Sequence, residues 1–211
     1  MATKAPAYFW EADVELEIKN LAFSVSEKDE GRGAYKKRIF YADWLRDGKI
    51  YWNPAQRVKG WINKNLPLVK STYKDQIQAV KVFPFDGQGL WEAIAEAKDM
   101  IGVGFGEDSK PEDNMDYSAL ANLPYPHKQH ITVKDAKGGV ARSVPLYWLV
   151  LPGPINIKVK VMSFARSIEP EMIEEALREL GKATGLGDKH NHGFGGFELK
   201  GFKSEKKRLK L

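Results

Sequence analysis

Two stretches of strict alternation constrain this chain more than any other feature. In "WEADVELEIK", Trp10, Ala12, Val14, Leu16 and Ile18 alternate without a break with Glu11, Asp13, Glu15, Glu17 and Lys19. A period of two sends the first set to one face of a strand and the second to the other, so one side is buried and the other wet. "INIKVKVMSF" repeats the pattern, with Ile155, Ile157, Val159 and Val161 set against Asn156, Lys158, Lys160 and Met162.

The second strand leads into "EPEMIEEALRELGKATG", where Met172, Ile173, Ala176, Leu177 and Leu180 recur at helical spacing. Pro170 suits a first turn. Glu171, Glu174 and Glu175 sit towards the positive end of the helix dipole, with Arg178 and Lys182 towards the negative end. Gly181 or Gly185 can supply the left-handed residue that stops the helix. "GLGDKHNHGFGG" follows, then "GFELKGF" as a final strand.

The first half repeats this order. A strand over about 8–20 passes through a basic hairpin or loop (28–52) to a helix opened by Asn53 and Pro54, a cap followed by a first-turn proline. Pro67 ends that helix within a few residues, and "IQAVKVFPF" makes a short strand. Strand–helix–strand twice over predicts an α+β, ferredoxin-like (RRM-like) βαβ-βαβ sandwich with a C-terminal glycine-rich loop. A long central insertion, about 86–144, separates the halves; it holds a possible helix (Leu90 to Met100) and an acidic stretch. The domain reading is one α+β domain over 1–203 and a basic tail over 204–211.

Charge location sharpens the choice of partner. The last twelve residues carry six Lys or Arg against one Glu, which accounts for the whole net charge of +5. Residues 31–64 carry nine basic and two acidic residues, and residues 86–119 two basic and nine acidic. Two basic segments apart from an acidic one favour a polyanion partner, with the tail as a mobile, salt-sensitive arm. No apolar run is long enough to span a bilayer, no signal-peptide core opens the chain, and cysteine is absent, so the expected setting is cytoplasmic, without a membrane partner.

Within 31–64, Tyr35, Phe40, Tyr41, Trp44, Tyr51, Trp52 and Trp61 interleave with Lys36, Lys37, Arg38, Arg46, Lys49, Arg57, Lys59 and Lys64. Single-stranded nucleic acids are held by such mixtures, bases on aromatic faces and phosphates on cations. Core packing is the competing use for most individual aromatics, but one hairpin cannot bury seven on one face.

The glycine loop lets backbone approach a ligand closely, and its amides can meet phosphate oxygens. It follows a helix and precedes a strand, the reverse of a nucleotide-triphosphate loop, and "GVGFGE" at 102–107 lacks the dinucleotide spacing. No nucleotide cofactor is expected. His190 and His192 stand one residue apart, with no carboxylate-rich or second histidine cluster next to them in sequence, so no metal is expected either. One of them acting as general base on a 2′-hydroxyl would make the chain a metal-independent endoribonuclease. A phage structural or host-factor-binding protein is a third class, with the acidic 107–116 stretch and the basic tail serving protein contacts.

The ending strand–helix–glycine loop–strand resembles the RAMP superfamily of CRISPR-associated RNA-binding proteins, which implies a ferredoxin-like fold and a glycine-rich loop near RNA. Two segments are more closely similar to a family of uncharacterised phage and prophage proteins of that fold: "IYWNPAQRVKGWINKNLPLVKSTYKDQIQAVKVFPF" and "IEEALRELGKATGLGDKHNHGFGGFEL". Gly185, Leu186, Gly187, Asp188, Gly195 or Gly196, and Phe197 match that family's ending; Lys189-His190-Asn191-His192 stand where it usually has Arg-Pro. The expected function is non-catalytic binding of single-stranded nucleic acid, RNA ahead of DNA, by subunits that can repeat along a strand as a homo-oligomer. Expected contacts are Lys36, Lys37, Arg38, Trp44, Trp52, Arg57 and Lys59, with Gly185, Gly187, Lys189, His190, Gly193, Gly195 and Gly196 from the loop.

Overall fold

A computed structural model describes residues 8–30, 37–41, 45–69, 71–85, 91–96, 128–133, 142–187 and 193–208. Its elements in chain order are β1 (Tyr8–Glu30), β2 (Lys37–Tyr41), β3 (Leu45–Arg46), β4 (Lys49–Trp52), α1 (Pro54–Val69), β5 (Val80–Pro84), β6 (Glu92–Glu96), β7 (Lys128–Val133), β8 (Arg142–Ser163), α2 (Pro170–Thr184) and β9 (Phe197–Arg208). The chain forms two compact units. One comprises Met1–Leu21, Trp52–Glu92 and Gly153–Leu211; the other comprises Ala22–Tyr51 and Ala93–Pro152.

The first unit carries the repeated strand–helix–strand plan. Its sheet runs β9-β1-β8-β5, so the strands second and third in sheet order, β1 and β8, each begin one half of the plan. β9 pairs antiparallel with β1 from Tyr8↔Arg208 to Ile18↔Phe197, with a bulge between Glu15 and Leu16. β5 pairs antiparallel with β8. Ion pairs Glu15–Lys158 and Asp13–Lys160 count up one strand and down the next, so β1 and β8 are antiparallel too. Each βαβ half is split by a strand of the other half, which is the ferredoxin-like arrangement.

The alternation decides what the sheet buries. Trp10, Ala12, Val14, Leu16 and Ile18 are all at most 5% exposed, as are Ile157, Val159 and Val161 on β8. Both helices supply their apolar stripes to the core: Ala55, Val58, Ile62 and Leu66 from α1, and Ile173, Ala176 and Leu177 from α2. Asn53 caps α1 as its sequence foretells, with the Gln56 amide donating to its Oδ1 at 2.9 Å. The Trp10 indole N–H donates to the Ile168 carbonyl at 2.6 Å and ties β1 to the turn before α2. Gly181 lies inside α2 against the Phe197 ring, and the left-handed stop is Gly185, at φ +55°.

In the second unit β1 continues past residue 20 and pairs with β2 through Ser26↔Tyr41 to Glu30↔Lys37. β8 likewise begins at Arg142 and pairs with β7. β3, β4 and β6 form a small separate sheet, and β3 and β4 are joined by Asp47-Gly48, both at positive φ. The helix expected over Leu90 to Met100 is not formed in its described part: Glu92–Glu96 is strand β6. Its Ala and Glu content favours helix locally, and pairing with β4 overrides so weak a preference. Ser204–Arg208 of the basic tail lie in β9 along β1.

Candidate nucleic-acid interface

The glycine loop is tied at its neck. The Leu186 amide donates to the Gly195 carbonyl at 2.7 Å, the Gly195 amide to the Asn20 carbonyl at 3.0 Å, and the Lys19 amide to the Gly196 carbonyl at 2.9 Å. Gly195 has φ +76°, and a Cβ there would overlap the Leu186 carbonyl oxygen; one on Gly185 would meet the Phe194 carbonyl oxygen. Two of the glycines are thus required by backbone packing alone. Gly187 and Gly193, the described residues on either side of 188–192, have φ +86° and +85°, and a Cβ on Gly193 would meet nothing among the described residues. Asp188 to His192 fall outside the described residues.

Beside this neck, α1 and the end of α2 enclose a groove of about 440 Å³. Arg57, Gly60, Trp61, Lys64 and Asn65 line it from α1, and Thr184 to Gly187 from the turn. Trp61 forms a fixed wall: its indole N–H donates to Thr184 Oγ1 at 2.8 Å, Thr184 Oγ1 donates in turn to the Leu180 carbonyl, and the Phe197 ring stands edge-on at 5.3 Å. Arg57 and Lys64 are seven residues apart, two turns of helix, so they share one line along α1 about 10 Å apart along the axis. A second concavity of about 340 Å³ at the Tyr8 end of β1 is lined by Tyr8, Trp10, Arg166 and Lys206 among others, and holds none of the expected contact residues.

The structure brings Arg57, Gly185 and Gly187 into this groove and places Gly193, Gly195 and Gly196 in the adjoining neck. It turns two expected contacts inward. Trp52 is 2% exposed and belongs to the core, so no face of its ring is open to a base. Lys59 is half-buried, and its ammonium donates to the Ile77 carbonyl at 2.9 Å and also to the Val80 carbonyl. Burial, then Lys81 nearby, pushes the Lys59 pKa below its ordinary value. Lys37 and Arg38 lie on β2; Lys36, Trp44, Lys189, His190 and His192 lie outside the described residues. Sequence reasoning passed over Gly60 and Asn65, whose signal is visible only once α1 has a groove side.

The open face of the first unit's sheet has a different chemistry. Glu15 pairs with Lys158 at 2.7 Å, Asp13 with Lys160 at 3.3 Å, and Glu17 with Lys200 at 2.8 Å; Glu11 pairs with Lys207 and, at 3.8 Å, Lys160. Lys200 also reaches Glu198. Hydrogen bonds from Lys207 and Lys158 hold Glu11 and Glu15 below the usual carboxylate range, and the hydrogen bonds that Lys200 and Lys207 donate to Glu17 and Glu11 hold these lysines above the usual value. An RNA-recognition-type sheet offers aromatics on its central strands; here the central strand β1 offers carboxylates.

Among the described residues, no group of three or more His, Asp or Glu is placed to hold a metal ion, and no helix is long and apolar enough to cross a membrane. No family model and no curated protein matches the chain. Among solved structures it is similar to a chain of the type III-B Cmr-beta complex bound to cognate target RNA, at 13% identity and a TM-score of 0.44. The match covers 94% of this chain and 61% of that one, so this protein spans about three fifths of its neighbour's length.

Proposed function

We propose that this protein binds single-stranded nucleic acid, RNA in preference to DNA, without cleaving it, and that the strand lies in the groove between α1 and the glycine turn. The observation that carries the reading is the convergence there of Arg57 and Lys64 on one line of α1 with the backbone turn at Gly185–Gly187. Cations spaced along a helix meet successive phosphates, and a bare glycine turn lets backbone amides approach the same strand. Lys189 and His190 are further proposed contacts, and Lys36, Lys37, Arg38 and Trp44 are proposed to bind nucleic acid from the basic segment of the second unit. A RAMP-like assembly, with subunits repeating along the strand, is the form of the complex this reading favours.

The test is fluorescence anisotropy with a labelled uridine oligomer. Affinity falls with salt, and Arg57→Gln or Lys64→Gln reduces the slope of log K against log salt by about 0.7 for each phosphate contact removed. Absence of binding at low salt refutes the reading, and variants that keep the wild-type slope move the site away from the groove. Incubation of labelled RNA with EDTA separates the endoribonuclease alternative: cleavage abolished by His190→Ala or His192→Ala supports it, and intact RNA removes it.

A further inference from the structure

The concavity at the Tyr8 end of β1 lies within the first unit, where the apolar core runs out. On β8 the buried series Ile157, Val159 and Val161 ends in Ser163. On β9 the residues paired with Val14, Ala12 and Trp10 are Phe202, Ser204 and Lys206. Small side chains replace large ones on both strands, and a hollow of about 340 Å³ remains beside Trp10. Residues paired across an antiparallel ladder share a face, so Lys206 stands on the core side of the sheet, where the alternation calls for an apolar residue. Arg166 and Glu169 line the hollow from the turn between β8 and α2, and both are exposed. Glu169 is the N-cap residue of α2 but makes no side-chain capping bond. Among the described residues, neither of these side chains has an ion-pair or hydrogen-bond partner. Lys206 makes no ion pair there either; its ammonium stands 5.7 Å from the centroid of the Tyr8 ring, a contact that leaves the charge uncompensated. Tyr8 itself is 46% exposed.

We propose that this hollow binds a nucleoside monophosphate whose base carries an exocyclic amino group, with Arg166 and Lys206 on the phosphate, Tyr8 against the base and Glu169 accepting from the amino group. Two uncompensated cations call for an anion, and an open aromatic ring suits a planar base. The carboxylate beside them disfavours a bare inorganic anion and favours a ligand that brings a donor as well, as an amino-bearing base does. The volume falls in the range of small-ligand sites. This site is separate from the α1 groove and does not rest on the reading of that groove. A free nucleotide and one unit of a longer strand offer the same chemistry.

Calorimetric titration with cytidine and uridine monophosphates provides the test, because cytosine has an amino donor where uracil has a carbonyl oxygen. The cytidine form is expected to bind about three- to tenfold more tightly than the uridine form, the worth of one hydrogen bond, and at least about tenfold more tightly than cytidine or inorganic phosphate alone. Glu169→Gln removes the preference between the two nucleotides. Arg166→Gln and Lys206→Gln each weaken both by about tenfold, with melting temperatures close to wild type because these side chains are exposed. Displacement of the bound nucleotide by a cytidine oligomer of about 15 units identifies a strand as the source of the ligand, and failure to displace it identifies a free nucleotide. Absence of cytidine monophosphate binding at about millimolar concentration overturns the inference, as do equal affinities for the two nucleotides or unchanged affinity in Arg166→Gln and Lys206→Gln. Binding of the uridine oligomer in the α1 groove is read in a separate titration, so either proposal can fail without the other.

Discussion

Lys59 and Arg57 are two residues apart on α1, and the structure predicts that removing them does opposite things. Arg57 faces the groove, whereas Lys59 sends its ammonium to the carbonyls of Ile77 and Val80, at the 3₁₀ turn and the first residue of β5. Lys59→Met keeps the apolar stem and withdraws the donor from both carbonyls. Hydrogen bonds to a charged group contribute about 1.5–3 kcal/mol each. Partial exposure and the relief of burying an ammonium offset some of that, leaving a net loss of about 2–3 kcal/mol. For a chain of this size each kcal/mol moves the melting temperature by about 2–4 °C, so Lys59→Met should melt about 4–12 °C below the wild type.

Affinity for the uridine oligomer, measured well below that melting point, should stay within about twofold of wild type for Lys59→Met, while Arg57→Gln loses affinity with a smaller change in melting temperature. Calorimetry and anisotropy on the same preparations give both numbers. The reasoning is refuted if Lys59→Met melts within about a degree of the wild type and loses affinity and salt slope as Arg57→Gln does. In that event the Lys59 ammonium serves phosphates, and its carbonyl bonds are not the state in solution.

The ion pairs of the open face set a pH window. Glu11, Glu15 and Glu198 have folded-state pKa values below the ordinary 4.5, so their contribution is present above about that pH and lost as pH falls through the lowered values. Lys200 and Lys207 are raised above 10.5, so theirs is present below that pH and lost as pH rises through the raised values. Urea titrations from pH 2 to 11 should therefore show a plateau with loss at both ends, and Glu11→Gln should soften the acid limb; an unchanged acid limb counts against the pairing. Gly195→Ala and Gly193→Ala share a left-handed backbone but differ in space. Gly193→Ala should cost about 1–2 kcal/mol in urea unfolding, and Gly195→Ala, which also collides with the Leu186 carbonyl, clearly more. Equal costs would mean the loop neck is not closed by the Leu186–Gly195 contact.

What could be read from the sequence was what neighbours along the chain decide. β1 and β8 show in their alternation because each has one buried and one wet face, and α1 shows in Asn53-Pro54 because a cap is local. The extension of β1 to Glu30 and of β8 back to Arg142 depends on β2 and β7, partners distant in sequence. Glu92–Glu96 was misjudged for the same reason. The candidate site follows the same division. Trp52 could have been set apart from the stacking candidates, since Ile50 and Trp52 alternate with Lys49 and Tyr51 and share a buried face. Lys59 could not, because its acceptors lie 18 and 21 residues away. The glycines of 185–196 read as a loop for close approach to a ligand; the contacts of Gly185 and Gly195 across the neck give two of them a purely structural reason, and these appear only when both sides of the neck are in place.

The charge pattern carries the last step. As a linear run, the terminal "KGFKSEKKRLKL" asks for a polyanion. In the fold, Lys200 and Lys207 answer the wet face of β1, through Glu17 and Glu11, and Lys158 and Lys160 answer it from β8. The same alternation that makes β1 a strand lays a row of four carboxylates down the middle of the open sheet face, and flanking lysines are required to make that row tolerable at neutral pH. A phosphate strand placed there would have to displace these lysines from carboxylates or lie against the carboxylates themselves, and like charges in contact are unfavourable. On that ground the proposed strand is placed away from the sheet face of this unit. On the α1 flank, Arg57 and Lys64 stand two helical turns apart, and among the described residues no acidic one lines the groove. The proposed binding side therefore follows from which strand carries the acids and not from the excess of lysine at the end of the chain.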